Sequence, residues 1–374
     1  MKQFLLSRRA LLAAVLVVAA IPYVQSFSHG FVLDDHDMFE RVIPSLHRPL
    51  DAWQTGSAFQ SYYRPIFLTS LYVDNLLFGS APSGYHAVNL VLHLIAVLCA
   101  FLFAERLFKN SAAAAATALL FAIQPVHTEN VSWISGRTDI LAAIFVFLAL
   151  LMFYDLVTKR KVLLALLSGV FFFLALASKE VAVIMPALCL VMLMVWKMLP
   201  ADNIPEENAA PRKRKAKKIV RRKSAKPVVL ALFLFTLGVV GMVVLRSSVI
   251  KNPFTENTFT TQGDVWLNAL RCFAMYLSHS ITGGGYEYIV LGWRVINPKF
   301  NLALPTEISA WIWIGAAALL YLAALYAAMR WRRGVAVIGL LGFAIFIFPA
   351  LGFVPIQSIF SVRFLYIPSF FFAL

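Results

Sequence analysis

The chain is written as long apolar runs separated by short polar stretches. A full membrane crossing needs about 20 apolar residues. Runs of that kind fall near 9–27, 86–106, 111–126, 138–157, 162–178, 181–199, 228–246, 307–329 and 335–354, and a tenth begins near 364 and runs to Leu374. The sequence therefore stops inside a hydrophobic stretch and reads as a fragment or a truncated product. The run from Ala10 to Ile21 follows Lys2, Arg8 and Arg9. A cleaved signal ending near Val24-Gln25-Ser26 is the weaker reading, and a retained first span the stronger, because so many spans follow. Two more apolar stretches are placed as interfacial helices. Residues 64–80 carry Asp74-Asn75, and a crossing at 264–282 would put Arg330, Arg332 and Arg333 on the wrong side. The expected fold class is all-α, a polytopic transmembrane helix bundle.

Composition agrees with that pattern. The chain is 61% hydrophobic and 14% charged, with a mean hydropathy of +0.78, against roughly half and a quarter for soluble domains. A net charge of +15 could suggest nucleic acid, but the excess lies beside hydrophobic runs, where cytoplasmic loops are expected to hold Lys and Arg. With the N-terminus in the cytoplasm, most Lys and Arg fall on that side, including the basic loop 200–227, which reads as a solvated charge run near anionic lipid. Two large outer loops result, 28–85 and 247–306. The whole of 1–374 is one membrane domain. Cys99, Cys189 and Cys272 sit in apolar runs, with neither metal spacing nor a disulfide framework.

This topology gathers ionisable residues at the outer boundary. Asp34, Asp35 and Asp37 follow the first span, and Arg64 stands in Tyr62-Tyr63-Arg64-Pro65. His86, Asn89 and His93 lie in the second span. His127 and Glu129 follow the third, and Arg137 and Asp139 open the fourth. Lys179 and Glu180 form the turn between the fifth and sixth, while Arg363 and Tyr366 precede the last. Adjacent carboxylates raise each other's proton affinity unless a cation, donor or substrate offsets them, and charge kept at a membrane boundary marks a functional site by default. Asp34 and Asp35 are the expected catalytic pair, one as general base and the other orienting the acceptor or, with its neighbour, holding a divalent cation (Mg or Mn). Asp37 reads as a helix cap. Arg137, Lys179 and Arg363 are the expected phosphate cations, Arg363 foremost because no acid neighbours it in sequence. The plainer alternative pairs Arg137 with Asp139 and Lys179 with Glu180. His127 and Glu129 have the spacing of two metal ligands, but two without a third do not make a zinc site. The Gly283-Gly284-Gly285 turn lacks the context of a nucleotide cradle; with Tyr286 and Tyr288 it reads as a cover over the site.

Phe31-Val32-Leu33-Asp34-Asp35, Tyr63-Arg64-Pro65, Gly84-Tyr85-His86 through His93, Gln124-Pro125-Val126-His127-Thr128-Glu129, Gly136-Arg137-Thr138-Asp139, Lys179-Glu180 and Arg363-Phe364-Leu365-Tyr366-Ile367-Pro368-Ser369 occur in this order. As an ordered set they resemble the membrane half of the transmembrane and tetratricopeptide-repeat O-mannosyltransferases and their bacterial relatives, which are GT-C glycosyltransferases. The resemblance implies inverting transfer of a sugar, by default mannose, from a polyprenyl-phosphate donor to a hydroxyl, with protein Ser or Thr as the acceptor. It places the reaction on the extracytoplasmic face of a membrane, for a bacterial chain the inner one. By similarity Asp34 and Asp35 fill the family's acidic pair, and Arg64, His86, His127, Glu129, Asp139, Glu180 and Tyr366 are expected to contact substrate. The chain departs from the family at Leu33, Gln124 and Val362, and the tetratricopeptide repeats are absent from its 374 residues.

Two other functions compete. A transporter or flippase would keep its ionisable groups near the bilayer midplane and show paired halves; here the charges lie at the ends of spans. A non-catalytic assembly factor would keep a degenerate site and bind acceptor proteins without modifying them.

Overall fold

The computed structural model describes residues 7–56, 62–199, 224–250, 265–282, 308–351 and 361–374. Most of the basic loop 200–227, most of the outer loop 247–306 and the Gly283–Tyr288 segment lie outside the described residues. The elements in order are α1 (Arg8–Ala20), α2 (Asp34–Asp37), α3 (Pro65–Phe78), α4 (Pro82–Phe108), α5 (Ser111–Ala122), α6 (Thr128–Val131), α7 (Arg137–Lys159), α8 (Val162–Ser178), α9 (Met185–Met194), α10 (Lys226–Val249), α11 (Val265–Thr282), α12 (Ile308–Arg330), α13 (Gly334–Ile347) and α14 (Tyr366–Phe372). The result is the all-α polytopic architecture expected of a GT-C-type bundle.

Among the described residues, five helical stretches are long and apolar enough to cross a membrane: Arg8–Ser28, Pro82–Phe108, Ile134–Lys159, Lys226–Val249 and Gly334–Leu351. The other apolar segments expected as spans are shorter helices, among them Ser111–Ala122, Val162–Ser178 and Glu180–Met194. Two apolar segments include 3₁₀ turns: Ile21–Ser28 continues α1, and Glu180–Ile184 precedes α9.

The helix boundaries are set by identifiable groups. The Asn110 side chain accepts from the Ala112 and Ala113 amides and starts α5, satisfying donors that a first turn leaves open. Lys109 and Arg160 close α4 and α7 in left-handed conformation, with φ of 54° and 56°. Gly136 opens α7 because a Cβ there would stand 2.2 Å from the Glu129 carbonyl oxygen.

Helix α7 is the hub. It packs against α4 on one side and α8 on the other, and 83% of its apolar window is buried, against 17% for α10 at the rim. The helices run so that opposite ends of the bundle carry different chemistry. At one end Arg8 Nε donates to Glu105 at 2.7 Å, and Asp155 accepts from Arg106 at 3.1 Å and Lys159 at 2.5 Å. The other end holds Asp34, Arg64, Arg137, Lys179 and Arg363, and the site is there.

Candidate active site

A cavity of about 380 Å³ opens at that second end. Its charged wall is Asp34, Arg64, Asp139, Lys179, Glu180, Arg246 and Arg363, four cations and three carboxylates. Its apolar flank includes Val181, Val183, Ile184, Phe346, Phe348 and Ile367. Val183 and Phe348 are 45% and 48% exposed, so this flank is open at the bundle surface.

The acidic pair divides. Leu33 adopts φ 51°, a region non-glycine residues seldom occupy, and the chain then enters the short α2. Asp34 lines the cavity. Asp35 is fully buried and its oxygens are already engaged: Oδ1 accepts from Ser135 N at 3.0 Å and Ser135 Oγ at 2.6 Å, and Oδ2 accepts from Val32 N at 3.1 Å. Burial pushes the Asp35 carboxyl above the ordinary aspartate value, the Ser135 and Val32 hydrogen bonds pull it down, and the charge of Asp34 adds to the rise. Asp35 thus pins the first loop to the turn before α7. The pair presents one carboxylate, Asp34, to the cavity, while the Asp35 oxygens are taken by Ser135 and Val32. Among the described residues no group of three His, Cys, Asp or Glu stands together as a metal set. Asp37 lies 3.5 Å from Arg41 and serves as a local partner.

The cations also divide, and none pairs with its sequence neighbour. Residues two apart on a helix point to different sides, so Arg137 and Asp139 go separate ways from the start of α7. Arg137 turns inward. It meets Asp74 at 2.6 Å and donates to Asn89 Oδ1 at 2.6 Å, Ser70 Oγ at 3.3 Å and the Tyr85 carbonyl at 3.1 Å. It is fully buried and is not among the residues that line the cavity. Asp139 faces the cavity and accepts from Lys179 Nζ at 2.6 Å. Burial lowers the Lys179 ammonium from the ordinary lysine value, against the raising pull of Asp139. Glu180 is taken by Arg64 in a two-pronged bridge, Nη2 to Oε1 at 2.6 Å and Nε to Oε2 at 3.0 Å. Burial favours the neutral Glu180 acid, but the Arg64 guanidinium outweighs it and holds the carboxyl at about 2.

Arg363 lines the cavity with its guanidinium 5.3 Å from the centre of the Trp133 ring and 5.5 Å from that of Phe364. Its segment is docked by residues more than 200 positions earlier. Asn130 Nδ2 donates to the Arg363 carbonyl at 3.1 Å, and Ser361 Oγ donates to Glu129 at 2.9 Å. The Ser369 hydroxyl is spent on the Tyr366 carbonyl, so His127 Nε2–H donates to Ser369 Oγ at 2.8 Å. His93 Nε2 faces the Ala122 carbonyl at 3.3 Å, which leaves Nδ1 to accept from the Tyr366 hydroxyl at 2.6 Å. His86 is buried with its ring edge toward His29.

Of the expected site residues, then, Asp34, Arg64, Asp139, Lys179, Glu180 and Arg363 share the cavity. Asp35, His86, His127, Glu129, Arg137 and Tyr366 surround or support it. Trp133, Ser135 and Arg246 line it without having been singled out in the sequence. Trp133 and Ser135 lie within three residues of Gly136-Arg137, so the motif pointed to their neighbourhood. Arg246, at the end of α10, looked like an ordinary boundary cation.

An all-α membrane bundle with three carboxylates and four cations around a cavity at one end defines the class: a polytopic membrane protein with a charged cavity, an architecture consistent with a GT-C-like fold. The comparisons with known proteins then narrow it. Residues 68–204 match the family model described as dolichyl-phosphate-mannose-protein mannosyltransferase. The chain is 31% identical over 189 residues to Protein O-mannosyl-transferase Tmtc1 of Drosophila melanogaster, covering 48% of this chain and 22% of that one. It is 41% identical over 105 residues to Protein O-mannosyl-transferase TMTC1 of Mus musculus, covering 27% and 11%. Against Protein O-mannosyl-transferase TMTC3 of Mus musculus it is 34% identical over 159 residues, covering 39% and 16%. The chain resembles the membrane half of this O-mannosyltransferase family, and the aligned parts span less than a quarter of those relatives' lengths.

Proposed function

We propose that this chain transfers mannose from a polyprenyl-phosphate carrier to a protein Ser or Thr hydroxyl on the extracytoplasmic face of the membrane. One observation carries the reading. Asp34, the one cavity-lining carboxylate among the described residues not taken by a cation there, and the cations Arg64, Lys179 and Arg363 come from four distant parts of the chain, yet line one cavity whose apolar flank opens at the bundle surface. The similarity to protein O-mannosyl-transferases supports mannose as the sugar and a protein as the acceptor.

In this mechanism the donor's prenyl chain lies along Val183, Ile184, Phe346 and Phe348, and its phosphate meets the cations. Arg363 has no carboxylate within ion-pair distance among the described residues, which leaves it available to the phosphate. Asp34 accepts the proton of the acceptor hydroxyl as its oxygen bonds to the sugar C1. The C1–O bond to phosphate breaks from the opposite side, the phosphate leaves with the electron pair, and the configuration at C1 inverts. An ordinary aspartate is a weak base, so the gain comes from placement beside the reacting hydroxyl. The expected extracytoplasmic face rests on the Lys and Arg bias of the opposite loops.

The test uses purified protein, polyprenyl-phosphate mannose and a Ser/Thr-rich acceptor peptide. Asp34→Asn is expected to cut transfer by about 10²- to 10⁴-fold, the range for a positioned acid–base group, with unchanged thermal unfolding. Full transfer by Asp34→Asn would refute the base assignment.

A further inference from the structure

Glu180, expected from the sequence to contact substrate, lines the cavity but takes no part in the transfer step described above. Its side chain is 43% exposed, and it takes the Nε–Nη2 edge of Arg64 with both of its oxygens. Arg64 itself is only 15% exposed. A planar guanidinium gripped at two points by a carboxylate is held in the geometry it would use for a phosphate. Glu180 therefore stands where a phosphate oxygen would stand.

The transfer changes the charge of its own lipid partner. The donor is a phosphodiester carrying one negative charge. Once the C1–O bond breaks, the electron pair stays on the phosphate oxygen and the lipid becomes a phosphomonoester. Such a group carries about −1.5 to −2 at neutral pH. The product thus gains charge in a cavity rich in cations, and cations that only attract would hold it harder than they held the substrate. Tight product binding is a common limit on turnover.

We propose that Glu180 competes with the lipid phosphate for Arg64 and so drives release of the spent carrier. In the resting site Glu180 neutralises Arg64. The arriving phosphate takes Arg64, and Glu180 swings into the cavity space it already borders. After transfer Glu180 returns to Arg64, which removes a cation from the product just when the product's charge is highest. Lys179 does not take part in this exchange, because Asp139 and Lys179 are only 5% and 7% exposed and their pair is closed. The inference rests on the polyprenyl-phosphate reading above and assigns the part of that site which sets product affinity.

The experiment measures equilibrium binding of a polyprenyl monophosphate and of the sugar-bearing diester to purified wild-type, Glu180→Gln and Arg64→Gln/Glu180→Gln proteins in detergent. Glu180→Gln is expected to bind the monophosphate about tenfold tighter, since a charge-assisted partner no longer competes for the guanidinium, with a smaller gain for the diester. Its turnover should show a burst followed by a slow steady state. The double variant should lose the gain. Unchanged or weaker monophosphate binding by Glu180→Gln, with wild type binding normally, overturns the exchange and leaves the donor reading standing. No binding of either lipid by wild type overturns the donor reading and the exchange with it. Should Glu180→Gln not fold, Glu180→Asp, whose shorter side chain weakens the grip on the Nε–Nη2 edge of Arg64, must give the same direction of change, and tightening absent there is equally decisive against the proposal.

Discussion

Two buried arginine–carboxylate sets lie within one end of this bundle and behave as opposites. Arg137 and Asp74 are sealed, with side chains 0% and 5% exposed, and Asn89, Ser70 and the Tyr85 carbonyl occupy the remaining guanidinium edges. Arg64 and Glu180 are just as short a pair but border open space, and Glu180 is 43% exposed. The distance between charges is therefore a poor guide to role. What separates a fastener from a reagent is whether a third party can reach the pair. Arg137 ties α7 to α3 and α4. Arg64 is held by Tyr62 and by a carboxylate that borders open space.

The sharpest way to break this contrast is to remove one partner of the sealed pair. Arg137→Met strands Asp74 in the interior and should lower stability by about 3–5 kcal/mol, read as thermal unfolding in detergent. Asp74→Leu combined with Arg137→Met should recover most of it, because a buried pair replaced by apolar groups of similar size is often neutral. A lone Arg137→Met that unfolds like wild type would erase the distinction between the two sets. Next in size is Arg363→Gln. It should raise the donor KM by roughly tenfold or more, as expected for losing a charged hydrogen-bonding contact to phosphate, with the unfolding temperature held; a changed acceptor KM instead would move Arg363 to the other substrate.

A smaller effect concerns Asp35. Its carboxyl sits above the ordinary aspartate value, so its charged form is costlier in the folded chain than in the unfolded one. Stability should therefore fall as pH climbs from the ordinary aspartate range through that raised value, and Asp35→Asn should flatten the slope. Glu180 runs the other way. Held at about 2 by Arg64, it contributes stability above the ordinary glutamate range and loses it only as pH falls toward that value. Urea or thermal titrations of wild type, Asp35→Asn and Glu180→Gln across pH separate the two. Least of all should follow from Arg41→Ala, since its partner Asp37 is met at 3.5 Å by an exposed arginine, and surface pairs contribute little. A clear loss of transfer in Arg41→Ala would show that the site reaches further along the first loop than the cavity does.

The bundle was readable because hydropathy reports burial in lipid directly, and most of the helices fall close to the apolar runs. Helix lengths were less readable. The turns at Ile21–Ser28 and Glu180–Ile184 shorten apolar segments, and apolar composition does not reveal where a helix tightens. The site was legible as a set of residue types at one end, and six of the expected residues do line the cavity. Their pairing was not legible. Lys179 chose Asp139, 40 positions away, over adjacent Glu180, and Arg137 chose Asp74 in a loop helix. Such choices depend on which way each side chain leaves its helix and on how the helices cross. The acidic pair shows the same limit, since Asp34 and Asp35 are chemically alike and only burial and the hydrogen bonds from Ser135 and Val32 tell them apart.

The docking of Arg363 has a bearing on how the protein comes into being. Its place over Trp133 depends on Asn130, Glu129, His127 and His93 gripping residues 361–369, which leave the ribosome more than 200 codons later. The early helices can enter the membrane and pack while the catalytic end still lacks its foremost cation. The cavity's set of cations is thus completed late, by the order of synthesis alone, once the segment that carries Arg363 has docked on its earlier partners.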